Sequence, residues 1–327
     1  MAFTPQVLES FDSGKNPFPA LNQSGGAIIE ASGHTGTYAY KAHTGTTLPF
    51  LKVPISGAAN NGAVGVWNYP HTNIDDSIRV SIECATGELI GVREDPTNGT
   101  LDAYVDGAKV ADGTPGILGT WAGVYHNVQL YVLFDDAVGR IQGWIDGHLA
   151  VDYTGDTIPA GATGTALTAY LQIADCNIDD LAVGTGGQPG DIRVEWLVPD
   201  ADTGVADWTP LVGPGNYQDV DEIPVDDAVY VHTAANGQAD EYELEDFTGT
   251  DKTIIGVDML ARGKVVVASD EQLKVGVDSG GTDDTTTHNL TTTSEPLRHC
   301  MPLNPDDAAA WEDADIDALL ARIESVI

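Results

Sequence analysis

The sequence predicts an all-β protein, built as two β-sandwich or jelly-roll domains in tandem and finished by a short C-terminal helix. Three observations predict it. Apolar and polar residues alternate with period two along much of the chain. Asp-Gly pairs, the strongest short hairpin signal, separate such runs at Asp106-Gly107 and Asp146-Gly147. A Gly/Pro-rich break, Gly184-Thr-Gly-Gly-Gln-Pro-Gly190, precedes a fresh start of strand-like patterning.

In chain order, Asp76–Cys84 alternates with Ile78, Val80 and Ile82 on one face. Leu101–Val105 and Lys109–Val110 form the first hairpin around Asp106-Gly107. His126–Phe134 and Arg140–Ile145 are longer strands, and Asp146-Gly147 turns the chain into His148–Asp152. Tyr170–Ala174 and Asp179–Val183 close the first half. After the break come strand candidates at Asp191–Val198, Ala228–His232, Thr253–Ala261, Lys264–Ala268 and Gln272–Asp278, then a polar turn at Ser279–Asp284. The helix is placed at Asp313–Ile323, where Ile316, Leu319, Leu320 and Ile323 recur at helical spacing. The domains are thus 1–185, a linker at 186–190, and 191–327. The linker fits neither GxGxxG nor GxxxxGK[ST], so it is not read as a phosphate loop.

Fourteen Lys and Arg stand against fifty Asp and Glu, a formal net charge of −36. Residues 1–190 carry 7 basic and 20 acidic side chains, residues 191–327 carry 7 and 30, so both halves are acidic. Such a field repels nucleic acid and anionic membranes, whose binding needs clustered cations. It suits solubility in a salty medium, or attraction of divalent cations. Cys84, Cys176 and Cys300 are widely spaced, with no zinc or redox pattern, and read as free thiols. The N-terminus lacks the basic and apolar regions of a signal peptide, and no run has the length of a membrane helix, so synthesis in a cytoplasm without export is expected.

Four pieces in order give the first half a family likeness. They are Leu101–Gly107, Trp121-Ala-Gly-Val-Tyr-His126-Asn-Val-Gln-Leu130, Gly139–Gly147 and Ile178-Asp-Asp-Leu-Ala-Val183. Together they resemble the concanavalin A-like jelly roll in its laminin-G-type form. The second half carries Gly190–Val194, Asp207-Trp-Thr-Pro210, Asn216–Pro224, Asp226–Val231, Gly280-Gly-Thr and Ala310–Leu319. That pattern resembles the C-terminal portion of virion proteins of tailed bacteriophages. The resemblance implies a non-enzymatic structural component at the virion surface, a head decoration, spike or tail-associated protein made in the host cytoplasm. Its implied partners are other virion proteins.

Concanavalin A-like folds include glycoside hydrolases, but the E-x-D-x-x-E carboxylate pattern is absent, and Glu83 and Glu94 lack a paired partner. No serine-nucleophile elbow or HExxH is present, and His126 reads as a hydrogen-bonded structural histidine. The doublets Asp75-Asp76, Asp135-Asp136 and Asp179-Asp180 read either as turn residues or, for Asp179 and Asp180 above all, as calcium ligands. Trp67, Tyr69, Trp121 and Tyr125 read either as strand-edge packing or as platforms for host glycans, the alternative function being a receptor-binding adhesin. Assembly as a homo-oligomer, first of all a trimer, is expected through two apolar places. One is an N-terminal arm with Phe3, Val7, Leu8 and Phe18–Leu21; the other is the face Ile316, Leu319, Leu320 and Ile323, unless that helix simply covers its own sandwich.

Overall fold

The structure, a computed structural model, describes residues 2–10, 23–24, 28–30, 39–41, 50–56, 60–70, 78–95, 97–118, 123–158, 167–173, 176–222, 225–249, 253–267 and 269–327. The chain packs as two compact units, the first extending to Glu195 and the second running from Trp196 to Ile327. Both are all-β.

Unit 1 holds β1 (Thr4–Glu9), β2 (Gln23–Ser24), β3 (Ile28–Glu30), β4 (Ala39–Lys41), β5 (Phe50–Pro54), β6 (Asn61–Pro70), β7 (Ile78–Glu83), β8 (Leu89–Asp95), β9 (Thr100–Val105), β10 (Ala108–Ala111), β11 (His126–Leu133), β12 (Gly139–Ile145), β13 (His148–Gly155), β14 (Thr168–Ile173) and β15 (Cys176–Thr185). They form two sheets, one in the order β13-β12-β11-β6-β15-β4-β3 with β1 also on β15, the other β10-β9-β8-β7-β14-β5-β2. The alternation seen in sequence supplies the core between them. Val64, Val66, Val128 and Leu130 from the first sheet, and Val80 and Ile82 from the second, have no exposed surface. Both Asp-Gly pairs turn hairpins, with φ of 46° and 78° at Asp106-Gly107 and 50° and 78° at Asp146-Gly147. The left-handed conformation at both positions matches the right-handed twist of the flanking strands.

The Gly/Pro-rich segment is not a free linker but part of unit 1. Gly186 N–H donates to Asn61 Oδ1 at 2.7 Å and Gly190 N–H to Gln129 Oε1 at 3.2 Å. Pro189 lies against Gly65, where an added Cβ would sit 3.1 Å from it. Asp191–Glu195 continues as an extended strap without a strand ladder, so the predicted strand at Asp191–Val198 is absent. The N-terminal arm is likewise part of the sandwich. β1 pairs antiparallel with β15, Leu8 is buried and Val7 packs on the core. Phe3, just ahead of β1, is half-buried. The sequence hid this because β1 finds its ladder partner almost the whole unit away. Phe18–Leu21 lies outside the described residues.

Unit 2 holds β16 (Pro199–Ala206), β17 (Thr209–Pro210), β18 (Val231–His232), β19 (Ala239–Leu244), β20 (Val257–Gly263), β21 (Gln272–Ser279), β22 (Thr282–Asn289), β23 (Glu295–Met301), α1 (Asp313–Asp317) and β24 (Leu320–Val326). A five-stranded sheet runs β16-β19-β24-β21-β22, with two-stranded pairs β17-β18 and β20-β23. Leu273 and Val275 on β21, Ile323 on β24 and Leu297 on β23 share one core cluster, so the β20-β23 ribbon packs on the larger sheet. The C-terminal helix is a single turn with a Glu312/Asp315 capping box. From Leu320 the chain is a strand paired on both sides, with β19 and with β21. Ala321, Ile323 and Ser325 face inward while Arg322 and Glu324 meet Glu241 and Lys274 of the neighbouring strands. Ile316, Leu319 and Ile323 are therefore core residues of their own unit and Leu320 is half-buried, which withdraws them as a face for a neighbouring copy. A four-residue apolar set with spacings of 3, 1 and 3 fits a helix, but strand pairing on two sides decides the outcome. Lys264–Val267 forms no strand and bends at Val266 and Val267.

Candidate functional site

The residues that suggested a glycan platform fall at one end of the first sheet of unit 1. Trp67 on β6 stands opposite Asn127 on β11. Tyr69, two residues on and on the same face, meets Tyr125 with ring centroids 5.1 Å apart at 51°. A cleft of about 350 Å³ opens there, lined by Trp67, Val124, Tyr125, His126, Asn127, Asp146, Gly147 and Asp191. That volume is at the lower end of small-molecule sites. Trp121 lies outside the described residues.

The Asp146-Gly147 hairpin turn brings a carboxylate to the cleft wall. Asp146 Oδ1 accepts Asn127 N–H at 2.8 Å, and Oδ2 accepts His126 Nδ1–H at 2.8 Å. Burial pushes the Asp146 carboxyl up, but the hydrogen bonds from His126 and Asn127 outweigh it and hold it below the usual aspartate value. His126 is thus positioned by a carboxylate at the cleft wall.

The opposite wall comes from the strap. Trp67 Nε1–H donates to Ile192 O at 3.1 Å, and the Arg193 guanidinium lies 4.3 Å from the centre of the Trp67 ring. Arg193 is itself 3.4 Å from Asp191, which lines the cleft. Trp67 is therefore first an anchor for the strap, and only the part of the ring not under Arg193 faces the cleft. What remains is an apolar surface from Val124 and Tyr125 beside carboxylates at Asp146 and Asp191. Such a surface can take the C–H face of a neutral sugar while the carboxylates accept hydroxyl hydrogen bonds. Sequence reasoning missed Val124, Asp146 and Asp191. Asp146 was legible only as a turn residue, and nothing local marks Asp191 as a neighbour of Trp67.

Asp135, Asp179 and Asp180, from the acidic doublets, accept backbone N–H groups. Asp180 has φ of 46° within the bulge between Asp179 and Ala182, and both carboxylates are buried. Asp179 Oδ1 accepts Asp180 N–H at 2.8 Å, and Asp180 Oδ1 accepts Val194 N–H at 2.9 Å. The pair shapes the bulge and ties down the strap. Asp135 Oδ1 accepts the N–H groups of Ala137 and Val138, both at 2.8 Å, and these bonds hold its carboxyl below the usual value. Asp75-Asp76 lies outside the described residues. Among the described residues, Glu241, Asp278 and Asp283 come close enough to share a cation, yet Arg322 already reaches Glu241 and Asp283. Of the two glutamates weighed as catalytic, Glu83 is ion-paired with Lys52 at 2.6 Å and Glu94 is buried on β8.

In unit 2 the segments around Trp208, Asn216 and Asp219 interlock. Asp240 Oδ1 accepts Trp208 N–H at 2.8 Å, and its Oδ2 accepts Asn216 Nδ2–H at 2.6 Å and the Tyr242 hydroxyl at 2.9 Å. Asn216 Nδ2 also donates to Trp208 O, and Trp208 Nε1 to Gln238 O. Asp219 accepts Val212 and Gly213 N–H at 2.8 and 2.7 Å. Asp202 accepts Asn216 and Tyr217 N–H at 2.9 and 2.7 Å.

No protein-family model matches the chain, and no curated protein does. Solved structures give partial likenesses. The chain is similar to domain 4 of AbnA, a GH43 extracellular arabinanase from Geobacillus stearothermophilus, in complex with arabinotriose, at 15% identity over 57% of this chain and 94% of that one, with a TM-score of 0.39. It is similar to a protein of unknown function with a galectin-like fold from Bacillus subtilis, at 9% identity over 56% and 97%, with a TM-score of 0.37. It is also similar to the alginate lyase Aly36B, at 11% identity over 56% and 96%, with a TM-score of 0.31.

Proposed function

We propose that this chain is a non-enzymatic structural component of a tailed-phage particle, carried at the particle surface. The observation that carries the reading is the use to which unit 2 puts its motif residues. Asp207–Pro210 and Asn216–Asp219, which bear the likeness to virion proteins, are spent on one network of carboxylate-to-backbone bonds through Asp202, Asp219 and Asp240. Residues with their acceptors filled in this way hold the 207–219 loops in one shape. The acidic surface agrees with a role that avoids nucleic acid. Mass spectrometry of gradient-purified particles tests it: peptides of the chain at stoichiometry comparable to other particle proteins are expected, and their absence refutes the reading.

A second reading, compatible with the first, is saccharide recognition by unit 1, favoured by the Val124–Tyr125 surface facing Asp146 and Asp191. With two carboxylates at the rim, neutral glycans are the expected ligands and uronate or sialylated ones are disfavoured. A glycan array probed with the full chain, alongside Tyr125→Ala, checks it. Binding of a neutral glycan lost in the variant is the expected outcome; binding that survives the substitution, or a preference for acidic glycans, is the contrary one.

A further inference from the structure

Four of the seven Lys and Arg of residues 1–190 stand on one face of the second sheet of unit 1. On its strands one set of alternate residues, Leu51, Ile82, Ile90, Leu101 and Leu171 among them, fills the core, and the other set faces outward. The registers align that outward set into rows across the strands. One row runs Lys52, Tyr170, Ser81, Gly91, Tyr104, Lys109. The next runs Phe50, Gln172, Arg79, Arg93, Asp102.

Aromatic rings flank the middle of these rows. Phe50 and Tyr170 stack with ring centres 5.4 Å apart at 22°, and Lys52 Nζ lies 5.4 Å from the Tyr170 ring centre. Arg93 Cζ lies 5.9 Å from the Tyr104 ring centre. Ser81 and Gly91 leave the first row low between its two tyrosines, which stand three strand spacings, about 14 Å, apart. No side chain can be added at Gly91, where a Cβ would fall 2.2 Å from Val80 O. Arg79, Arg93, Tyr104 and Tyr170 are half-buried, so the sheet fixes them while solvent still reaches them.

Charge selects the occupant. Lys52 is ion-paired with Glu83 at 2.6 Å, and Lys109 reaches Asp95, Asp102 and Asp112. With those acids counted the face holds 4 cations and 4 anions, while the rest of residues 1–190 holds 3 and 16. At its centre Arg79 and Arg93 stand directly opposite each other, and like charges at such a pair repel. An anion between them turns the repulsion into attraction, and guanidinium forks match a carboxylate. We propose that this face binds a carboxylated saccharide, its carboxylate between Arg79 and Arg93 and its ring against the flanking tyrosines. Aromatic rings take the C–H face of a sugar, and Gln172 and the tyrosine hydroxyls can bond its hydroxyls. Packed sheets lie about 10 Å apart, beyond the screening length of about 8 Å at physiological salt, so the acids of the other sheet are screened at contact. A long polyanion such as nucleic acid still meets the net charge of −36. The proposal rests on neither the particle reading nor the cleft at Val124 and Tyr125.

Calorimetric titration of the full chain is the experiment, with trigalacturonate and sialyllactose as two sources of a sugar carboxylate. Trigalacturonate methyl ester and lactose are their neutral counterparts. Binding of at least one acid is expected, with its neutral counterpart about tenfold weaker or more, and the acid that binds identifies the source. Arg79→Gln/Arg93→Gln is expected to lose about tenfold or more, whereas Arg140→Gln, which removes a cation from the other sheet, binds like the wild type. Should the double variant fail to fold, Arg93→Lys keeps the charge, loses the fork and is expected to bind severalfold more weakly. The proposal is overturned if neither acid binds, if a neutral counterpart binds equally well, or if a folded double variant binds like the wild type. Loss of the binding in Tyr125→Ala overturns it too, because the sugar would then sit in the cleft.

Discussion

Among the described residues, buried carboxylates such as Asp180, Asp219 and Asp240 accept backbone N–H groups. Asp240 takes Trp208 N–H, Asn216 Nδ2–H and the Tyr242 hydroxyl, and burial still pushes its own pKa up. Replacing Asp240 by Ala strands those donors, so a loss of about 3 kcal/mol from the unit 2 transition is expected in urea unfolding. A loss within experimental error contradicts the network as the support of the 207–219 loops. At Asp146 the sign is the opposite. Its folded pKa lies below the usual aspartate value near 3.8, so its contribution is fully present above that pH and fades as pH falls through the folded value. The midpoint of unit 1 should therefore drop in acid, and Asp146→Asn should flatten that drop. An unchanged acid limb in the variant contradicts the His126–Asp146 link. These roles were partly legible. Asp106 and Asp146 announce their turns because glycine follows each. Asp180 and Asp240 do not, because their donors, Val194 and Trp208, come from segments 14 and 32 residues away.

At the scale of elements, alternation found strands that bury an apolar face, among them β14 and β15 with their distant partners, and missed β1 and the polar edge strand β22. The β9-β10 and β12-β13 hairpins were readable. β1, pairing with β15, and β22, a run of Thr and Asp on the outer edge of its sheet, were not. An edge strand buries little, so its sequence has little reason to alternate hydrophobically. Leu319–Ser325 held both periods at once, and only the position of β24 between β19 and β21 separates them. Ile323→Ala is expected to cost about 2–4 kcal/mol of unit 2 stability as a core cavity. A variant of normal stability returns the segment to the surface. The strap gives a sharper test. Trp67 binds it through both the indole N–H and the ring face, so Trp67→Ala should raise the rate of limited proteolysis between 186 and 195 by about tenfold or more. Unchanged cleavage means the strap is held without it.

Across the whole molecule, a net charge of −36 opposes compaction of either unit and association of any two copies. Residues 191–327 carry −23 against −13 for residues 1–190, over fewer residues, so moderate salt should raise the unit 2 transition more than the unit 1 transition in a thermal scan. Against that charge, the cleft at Val124 and Tyr125 sets an apolar surface between only two carboxylates, Asp146 and Asp191. That cleft was not legible whole. Trp67, Tyr69 and Tyr125 drew notice as aromatic residues, whereas nothing local marked Val124 or Asp191. The proposed role as a particle component is a claim about where the whole molecule sits. The most direct measurement is an electron cryo-microscopy map of the purified particle at side-chain resolution. The account predicts density on the particle exterior fitted by the two β units, with the 186–195 strap seated on the first. A particle whose exterior density is wholly explained by other chains contradicts it.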